Sequence, residues 1–534
     1  MATATEHASQ RLSAHNPATG AELGSVPLTA PAQVGDVIAA VAKVQPLWAL
    51  LRVSDRARYM RRMAQAVIDD FDELAALLVA EQGRPRAEVA ALELLAAIDA
   101  LSWIADEGAT TLGSRSVGVS RSLAPAKRGR IAYEPYGVVG VIGAGSAPFA
   151  QPLGQIAGAL LAGNGVAFKP AARACLAGER IGRVLARAGL PEGLVRIVHG
   201  GPETGVALAR SEVGKVLFTG SPAIGREVAR ACVSREKEVT VEIGGKDAML
   251  VLVDAEVRRA VEGALWAGYA GAGQARGSVE RIYVARAVYE PFLAGLVHGA
   301  RSLRVGDPAD ERTQLGPLSS PARLSRVRDL VEEAVARGAR MHCGGPLEEP
   351  ALKAAGAFYG ATVLTGVTAE MRIAREPVDG PVLAVFPVDS EEEAIARAND
   401  SDYGLGASVW TADRYRGTRV ARELHAGMVW MNDHLPGPTV SRGPWGAAAG
   451  SGLGRTLGEA GLRACGREKL ITWDPPGVRG LWWSPYDATT AAAARAVARL
   501  RSQRDSDKER AWRAGAVPLA RLAARAFGRG LPKG

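Results

Sequence analysis

Residues 215–246 read KVLFTGSPAIGREVARACVSREKEVTVEIGGK. KVLFTG (215–220) is a short apolar run, a helix-like stretch follows it, and VTVEI (239–243) is a second apolar, β-branched run. Apolar runs of strand length separated by helix-length stretches describe parallel strands joined by right-handed crossovers. The same rhythm holds upstream, where GVVGVI (137–142), VAF (166–168) and LVRIV (194–198) alternate with helix-like stretches at 153–162 and about 175–188. Downstream, AMLVLV (248–253), RIYV (281–284), VLAVF (382–386), GASVW (406–410) and GMVWMN (427–432) are strand candidates. Helices are expected near 286–302, 322–338, 391–399 and 413–424. The fold class read from this is α/β, with two doubly wound parallel-sheet domains. Before the first strand, Met60, Met63, Val67, Phe71, Leu74 and Leu78 recur at spacings of three and four. That pattern predicts an amphipathic helix over 56–82 stopped by Gly83, with a second helix over 84–107.

A chain of 534 residues with 47% apolar and 23% charged residues buries a sizeable core without staples. Its four cysteines, Cys175, Cys232, Cys343 and Cys465, form no CxxC pair. No zinc site or disulfide framework is indicated, no metal is expected, and a reducing cytoplasm is the natural compartment. The start has no signal-type apolar core, and no run has the length of a membrane span. The net charge is +9, yet residues 491–534 alone carry nine Arg and two Lys against three acids, a net of +8. The body is therefore nearly neutral, and nucleic acid is not an expected partner. The Ala/Arg-rich segment 485–534 reads either as a solvated extension or as a peripheral helix on an anionic membrane surface.

The strings EPYGVVGVI (134–142), FKP (168–170), FTGS (218–221), EIGGK (242–246), Gly273-Gln274 with Glu280-Arg281, DGPVLAV (379–385) and YGLGASVW (403–410) stand in a particular order and spacing. Together they resemble the aldehyde dehydrogenase superfamily over roughly residues 14–475, with bacterial succinate-semialdehyde and broad-specificity members nearest in look. The resemblance implies a dinucleotide-binding domain (12–128 and 137–245), a catalytic-type α/β domain (246–445) and a small oligomerisation element (129–136 and 466–475), assembled as a dimer or tetramer. It implies NAD or NADP as cofactor, held by Ile142, Lys169, Gly220, Ser221, Gly244 and Glu376. Exposed N–H groups where a helix begins after Gly220-Ser221 suit a diphosphate. Ala172 stands where the family carries a ribose-binding Glu, which removes a carboxylate that would repel a 2′-phosphate.

Members of this family oxidise aldehydes with a Cys nucleophile, an oxyanion-holding Asn and a Glu base. By the resemblance, Glu242 is the retained base, Arg276 stands at the nucleophile position and Ser146 at the oxyanion position. A guanidinium has no usable lone pair and cannot attack a carbonyl. Ser278, two residues on, has no evident base. The family's nicotinamide-side Phe is Asp379, and the Lys of its later glycine-rich stretch is Ala449. A buried Arg needs a partner, so Arg276 is expected to pair with Glu242 or Asp379.

Two classes of function follow: an NAD(P)-dependent aldehyde oxidoreductase, or an inactive relative serving as a cofactor-binding scaffold or regulatory subunit. The second class admits a homo-oligomer or a hetero-oligomer with an active paralogue. A third reading is a cationic pocket for an acidic ligand in place of an aldehyde.

Overall fold

The structure, a computed structural model, describes residues 10–120, 124, 126–347, 349, 352, 356–435, 441–484 and 486–527. They form two compact units, Met1–Leu112 with Pro135–Arg467 and Gly113–Glu134 with Glu468–Gly534.

The first unit opens with an antiparallel pair, β1 (Arg11–His15) and β2 (Glu22–Pro27). The strands β3 (Arg115–Val117) and β4 (Arg128–Pro135) belong to a separate small sheet. Then come β5 (Val138–Ile142), β6 (Gly165–Lys169), β7 (Val195–Ile197), β8 (Lys215–Gly220) and β9 (Glu238–Ile243). With the two-residue β17 (Gly452–Leu453) they make a sheet ordered β17-β9-β8-β5-β6-β7, parallel except for β17. Every residue of β5 and of β6 is buried, as expected for central parallel strands covered on both faces. The chain runs outward from β5 through β6 to β7, then returns to place β8 on the other side of β5. That reversal is a topological switch point, and ligands of doubly wound sheets bind beyond the strand ends there.

A second sheet of seven strands is ordered β12-β13-β14-β11-β10-β15-β16. Its members are β10 (Asp247–Val251), β11 (Val279–Ala285), β12 (Arg340–Gly345), β13 (Gly360–Thr365), β14 (Val382–Val388), β15 (Gly406–Trp410) and β16 (Met428–Met431). Only β12 runs antiparallel to its neighbour. Strand β12 escapes a reading by apolar runs, since Arg340–Gly345 carries polar residues and two glycines, whereas β13 adds a short apolar run, ATVL, beyond those expected.

The helix expected over 56–82 is two helices, Val53–Asp69 and Phe71–Gln82. Asp70 leaves helical geometry between them at φ −100°, ψ 15°, and its carboxylate pairs with Arg187. Gly83 ends the second helix in the left-handed conformation, at φ 73°. The helix expected over 84–107 is also interrupted: Arg86–Val89 passes through a π-helical turn, Ala90–Leu95, before Ala96–Thr111.

The second unit holds the sheet β18-β4-β3, with β18 (Gly466–Trp473) as one edge. Its C-terminal part is a helical hairpin, Ala488–Leu500 and Asp505–Phe527. The tail arginine Arg529 lies outside the described residues. The hairpin buries Ala493, Ala496, Val497, Ala511, Leu522 and Ala526. Gly515 packs so tightly that a Cβ there would stand 2.2 Å from Ala496 Cβ. Alanine and glycine let the two helices meet along a narrow seam that the expected pattern of larger apolar residues does not reveal. No single helix among the described residues is long and apolar enough to cross a membrane.

Candidate active site

A cavity of about 940 Å³ opens at the switch point of the six-stranded sheet. That volume is at the upper end of the range for small-molecule and cofactor sites. Ile142, Ser146, Lys169, Gly220, Ser221, Gly244 and Arg276 all line it. Glu376 does not: its carboxylate is clamped by Arg372 at 2.9 Å and by Arg326 at 3.2 Å. The neighbouring backbone is held instead by Glu280, which accepts from Val378 N at 3.0 Å and Asp379 N at 3.2 Å while pairing with buried Lys246. Pro377 and Asp379 thus reach the wall, and Glu376 turns to the arginines.

Ser221 is the N-cap of helix Pro222–Val233, with Pro222 at the first helical position and no side-chain cap. The first-turn N–H groups of that helix are therefore available beside the cavity, together with the positive end of its dipole. Lys169 ends β6 with its ammonium buried, donating to the Pro170 carbonyl at 3.1 Å. Burial pushes this lysine down to about 8, against the opposing pull of Glu203. Gly244 meets nothing within 4 Å on its Cβ side, which leaves open space at the end of β9. An anion-seeking helix end, a buried lysine and glycine-walled room fit the diphosphate half of a dinucleotide.

The other end of the cavity is built around Glu242. β8 pairs with it from one side, through Thr219, and β17 from the other, through Gly452. Gly452 is required there: a Cβ would lie 2.1 Å from the Val241 carbonyl oxygen, and its φ is 146°. Glu242 is 2% exposed. Its Oε1 accepts from Trp445 Nε1 at 2.6 Å, and its Oε2 accepts from Gln151 Nε2 at 2.8 Å and Thr456 Oγ at 3.1 Å. Arg276 Nη1 lies 3.1 Å from Oε1. Of the two partners expected for Arg276, the structure selects Glu242. Asp379 pairs with Arg323.

Arg276 also donates from Nη2 to Gln151 Oε1. Gln151 in turn donates to Thr219 at 2.8 Å, so one amide joins the arginine, the carboxylate and β8. Burial lowers the Arg276 guanidinium below the ordinary arginine value, Glu242 opposes that, and the charge of Arg84 adds to it. The loop before Arg276 carries three successive left-handed residues, Gly271, Ala272 and Gly273, at φ 60°, 54° and 69°. A non-glycine residue in that region costs about 1–3 kcal/mol and tends to cluster at functional sites. Gly273 is held to the facing loop, where a Cβ would stand 2.1 Å from the Gly380 carbonyl oxygen.

The sequence profile of the Aldehyde dehydrogenase family matches residues 4–471. The chain belongs to the aldehyde dehydrogenase family. Betaine aldehyde dehydrogenases are among its relatives: that of Cereibacter sphaeroides is 36% identical over 447 residues, covering 84% of this chain and 90% of the relative. That of Rhizobium meliloti is 35% identical over 447 residues, with the same coverage. An aldehyde dehydrogenase of Mycobacterium tuberculosis, solved in complex with NAD+, superposes with a TM-score of 0.83 at 33% identity, covering 87% of this chain and 95% of that one. A putative aldehyde dehydrogenase of Burkholderia cenocepacia superposes with a TM-score of 0.83 at 31% identity, covering 87% and 94%.

Within this aldehyde dehydrogenase fold, several side chains at the site were not singled out from the sequence. Gln151 and Trp445 stand close in sequence to Ser146 and Ala449, so those positions pointed to their neighbourhood. Glu93 carries no local signal; the π-helical turn of Ala90–Leu95 directs it to the N-terminus of helix Ala150–Leu161, where it accepts from Phe149 N at 3.2 Å and Ala150 N at 2.8 Å. Arg84 reaches Ser146, donating to its carbonyl at 2.6 Å. The Ser278 hydroxyl is buried with no aligned partner and lies outside the cavity wall. None of the four cysteines lines the cavity.

Proposed function

We propose that this chain is an NAD(P)-binding member of the family in which covalent aldehyde oxidation is switched off. The observation that carries this is the Arg276–Glu242 pair. Arg276 offers no nucleophile at the position the family resemblance assigns to the thiol, and the carboxylate assigned as base is engaged by four partners. With three donors and a guanidinium on its two oxygens and only 2% of its surface exposed, the carboxylate has no open face for a water. Ser146, at the oxyanion position, brings a hydroxyl in place of an amide; losing one such donor costs about 10²–10³ in rate.

The dinucleotide half of the reading rests on Lys169, Gly220 and Ser221 at the switch point. A bound NAD(P)+ would supply a hydride acceptor, while this chain's residues would hold its diphosphate and ribose. β18 is an edge strand and would serve a homo-oligomer by strand pairing.

Two assays test the proposal: calorimetric titration with NAD+ and NADP+, and NAD(P)H production over a panel of aldehydes. Saturable dinucleotide binding without turnover is expected. Turnover by the native chain comparable to that of ordinary family members overturns it. A scaffold with no cofactor role remains if neither dinucleotide binds.

A further inference from the structure

The helical hairpin, Ala488–Leu500 and Asp505–Phe527, lies beyond residues 4–471, the stretch that the family accounts for. Its charges do not balance. Residues 486–527 carry eight arginines and one lysine against four acids. Each acid is already taken by a cation of the same segment: Asp487 by Arg525, Asp505 by Lys508, Asp507 by Arg510 and Glu509 by Arg513. Arg495, Arg499, Arg504 and Arg521 form no ion pair among the described residues. Arg495, Arg504 and Arg521 are exposed, and Arg499 is half-buried. Like charges gathered on so short a segment repel one another unless a partner supplies the opposite sign.

The apolar side chains are placed in an unusual way for a hairpin packed only on itself. The seam takes Ala511, Gly515, Leu522 and Ala526, whose spacings of four, seven and four keep one helical stripe inward across Pro518. The larger groups stay outside: Trp512 is 65% exposed, Val517 61%, Trp483 62% and Tyr486 73%. Arg510, Arg513, Val517 and Arg521 recur at spacings of three and four, on the stripe opposite the seam. Trp512 falls between that stripe and the seam. We propose that the hairpin is a membrane-surface anchor, in which Arg495, Arg504 and Arg521 meet the headgroup phosphates of anionic phospholipid while Trp512 and Val517 enter the boundary between headgroups and acyl chains. That one surface supplies the missing negative charge and covers the exposed apolar groups. A nucleic acid would answer the arginines alone; Val517, set among them, has no use on a phosphate backbone. The anchor lies along the surface, since no single helix among the described residues is long and apolar enough to cross a bilayer.

The test is flotation of the full-length protein with vesicles of phosphatidylcholine alone and of phosphatidylcholine mixed with phosphatidylglycerol, at low and at high salt. Binding to the anionic vesicles only, lost at high salt, is expected. The triple variant R495Q/R504Q/R521Q leaves the paired arginines and the seam intact. It should weaken vesicle binding about a hundredfold, because each basic residue near such a surface contributes about fivefold. The variant W512S/V517S, also confined to exposed positions, should weaken binding about tenfold at low salt and leave its salt dependence unchanged. No flotation with either vesicle, equal flotation with both, or unchanged flotation of the triple variant overturns the proposal. Two other occupants are read on the same samples. Single-stranded RNA that binds more tightly than the vesicles, and is lost in the triple variant, overturns it in favour of a nucleic acid. A sedimentation coefficient that falls in W512S/V517S, without flotation of the native chain, overturns it in favour of a second copy.

Discussion

Arg276 and Glu242, thirty-four positions apart in the chain, face each other at 3.1 Å with both side chains withdrawn from solvent. Their strands belong to different sheets: Glu242 is on β9, and Arg276 precedes β11. The pair therefore fastens the two sheets of the first unit across the cavity. Such a contact is a poor stabiliser in itself, because taking both charges out of water offsets their attraction. Breaking it from one side is another matter.

Arg276→Leu should destabilise the protein by about 3–5 kcal/mol, since it strands a buried carboxylate. The double variant Arg276→Leu/Glu242→Gln should recover much of that loss. Denaturant unfolding of the single and double variants gives the coupling. Equal stability of Arg276→Leu and the native chain would mean that the pair does not form.

Gln151 touches Arg276, Glu242 and Thr219 at once. Gln151→Leu removes an acceptor from the guanidinium and a donor from the carboxylate, leaving both groups less satisfied. A loss of about 1–3 kcal/mol is expected, read from the denaturation midpoint at unchanged slope.

Cofactor choice is open to a direct check at Ala172, which with Lys169 and Arg173 lines the cavity. No carboxylate at 172 opposes a 2′-phosphate, so NADP+ should bind at least as tightly as NAD+. Ala172→Glu should weaken NADP+ and spare or improve NAD+. The Lys169 ammonium, pushed down to about 8 by burial, loses its charge as pH rises through that value. NADP+ affinity should therefore fall between pH 7 and pH 9 in the native chain and stay flatter in Lys169→Met. A pH-independent affinity in the native chain would show that Lys169 does not meet the phosphate.

Stability should fall as pH rises from the usual glutamate range toward neutrality. Burial raises Glu88 to about 7 and Glu81 to about 7, although each accepts backbone hydrogen bonds: Glu88 from Gly271, Glu81 from Leu176 and Ala177. Between the unfolded value near 4.5 and the folded value the native state holds more protons than the unfolded chain, so this stabilisation is complete below the lower value and lost through the upper one. Each group contributes a slope on the order of 1 kcal/mol per pH unit. Glu88→Gln keeps a carbonyl acceptor for Gly271 and should flatten the pH profile of the unfolding free energy. A profile identical to that of the native chain would sink the assignment.

The helical hairpin of the second unit depends on Gly515. With 2.2 Å between a Cβ there and Ala496, Gly515→Val should pry Asp505–Phe527 from Ala488–Leu500. Proteolysis within 501–527 should accelerate while residues 135–467 of the first unit stay protected.

The β-branched runs at 137–142, 215–220 and 239–243 face no competition from other local structure, so their strands were legible to within a residue or two. Gly220-Ser221 at a strand-to-helix junction marked the helix start that lines the cavity for the same reason: the conformation is local. The identity of Arg276 likewise sufficed to exclude that side chain as a nucleophile, because protonation and the lack of a lone pair belong to the side chain itself. Which acid answers Arg276, Glu242 or Asp379, depended on where β9 and the loop before β14 meet in space. Glu376 was drawn off the cavity by Arg326 and Arg372, and Glu93 was brought to a helix N-terminus by a π-helical turn. Sequence determines which groups can donate, accept or attack. The packing of two sheets determines which of them are near enough, and dry enough, to matter to one another, because the strength of a charge contact depends on distance and on exclusion of water.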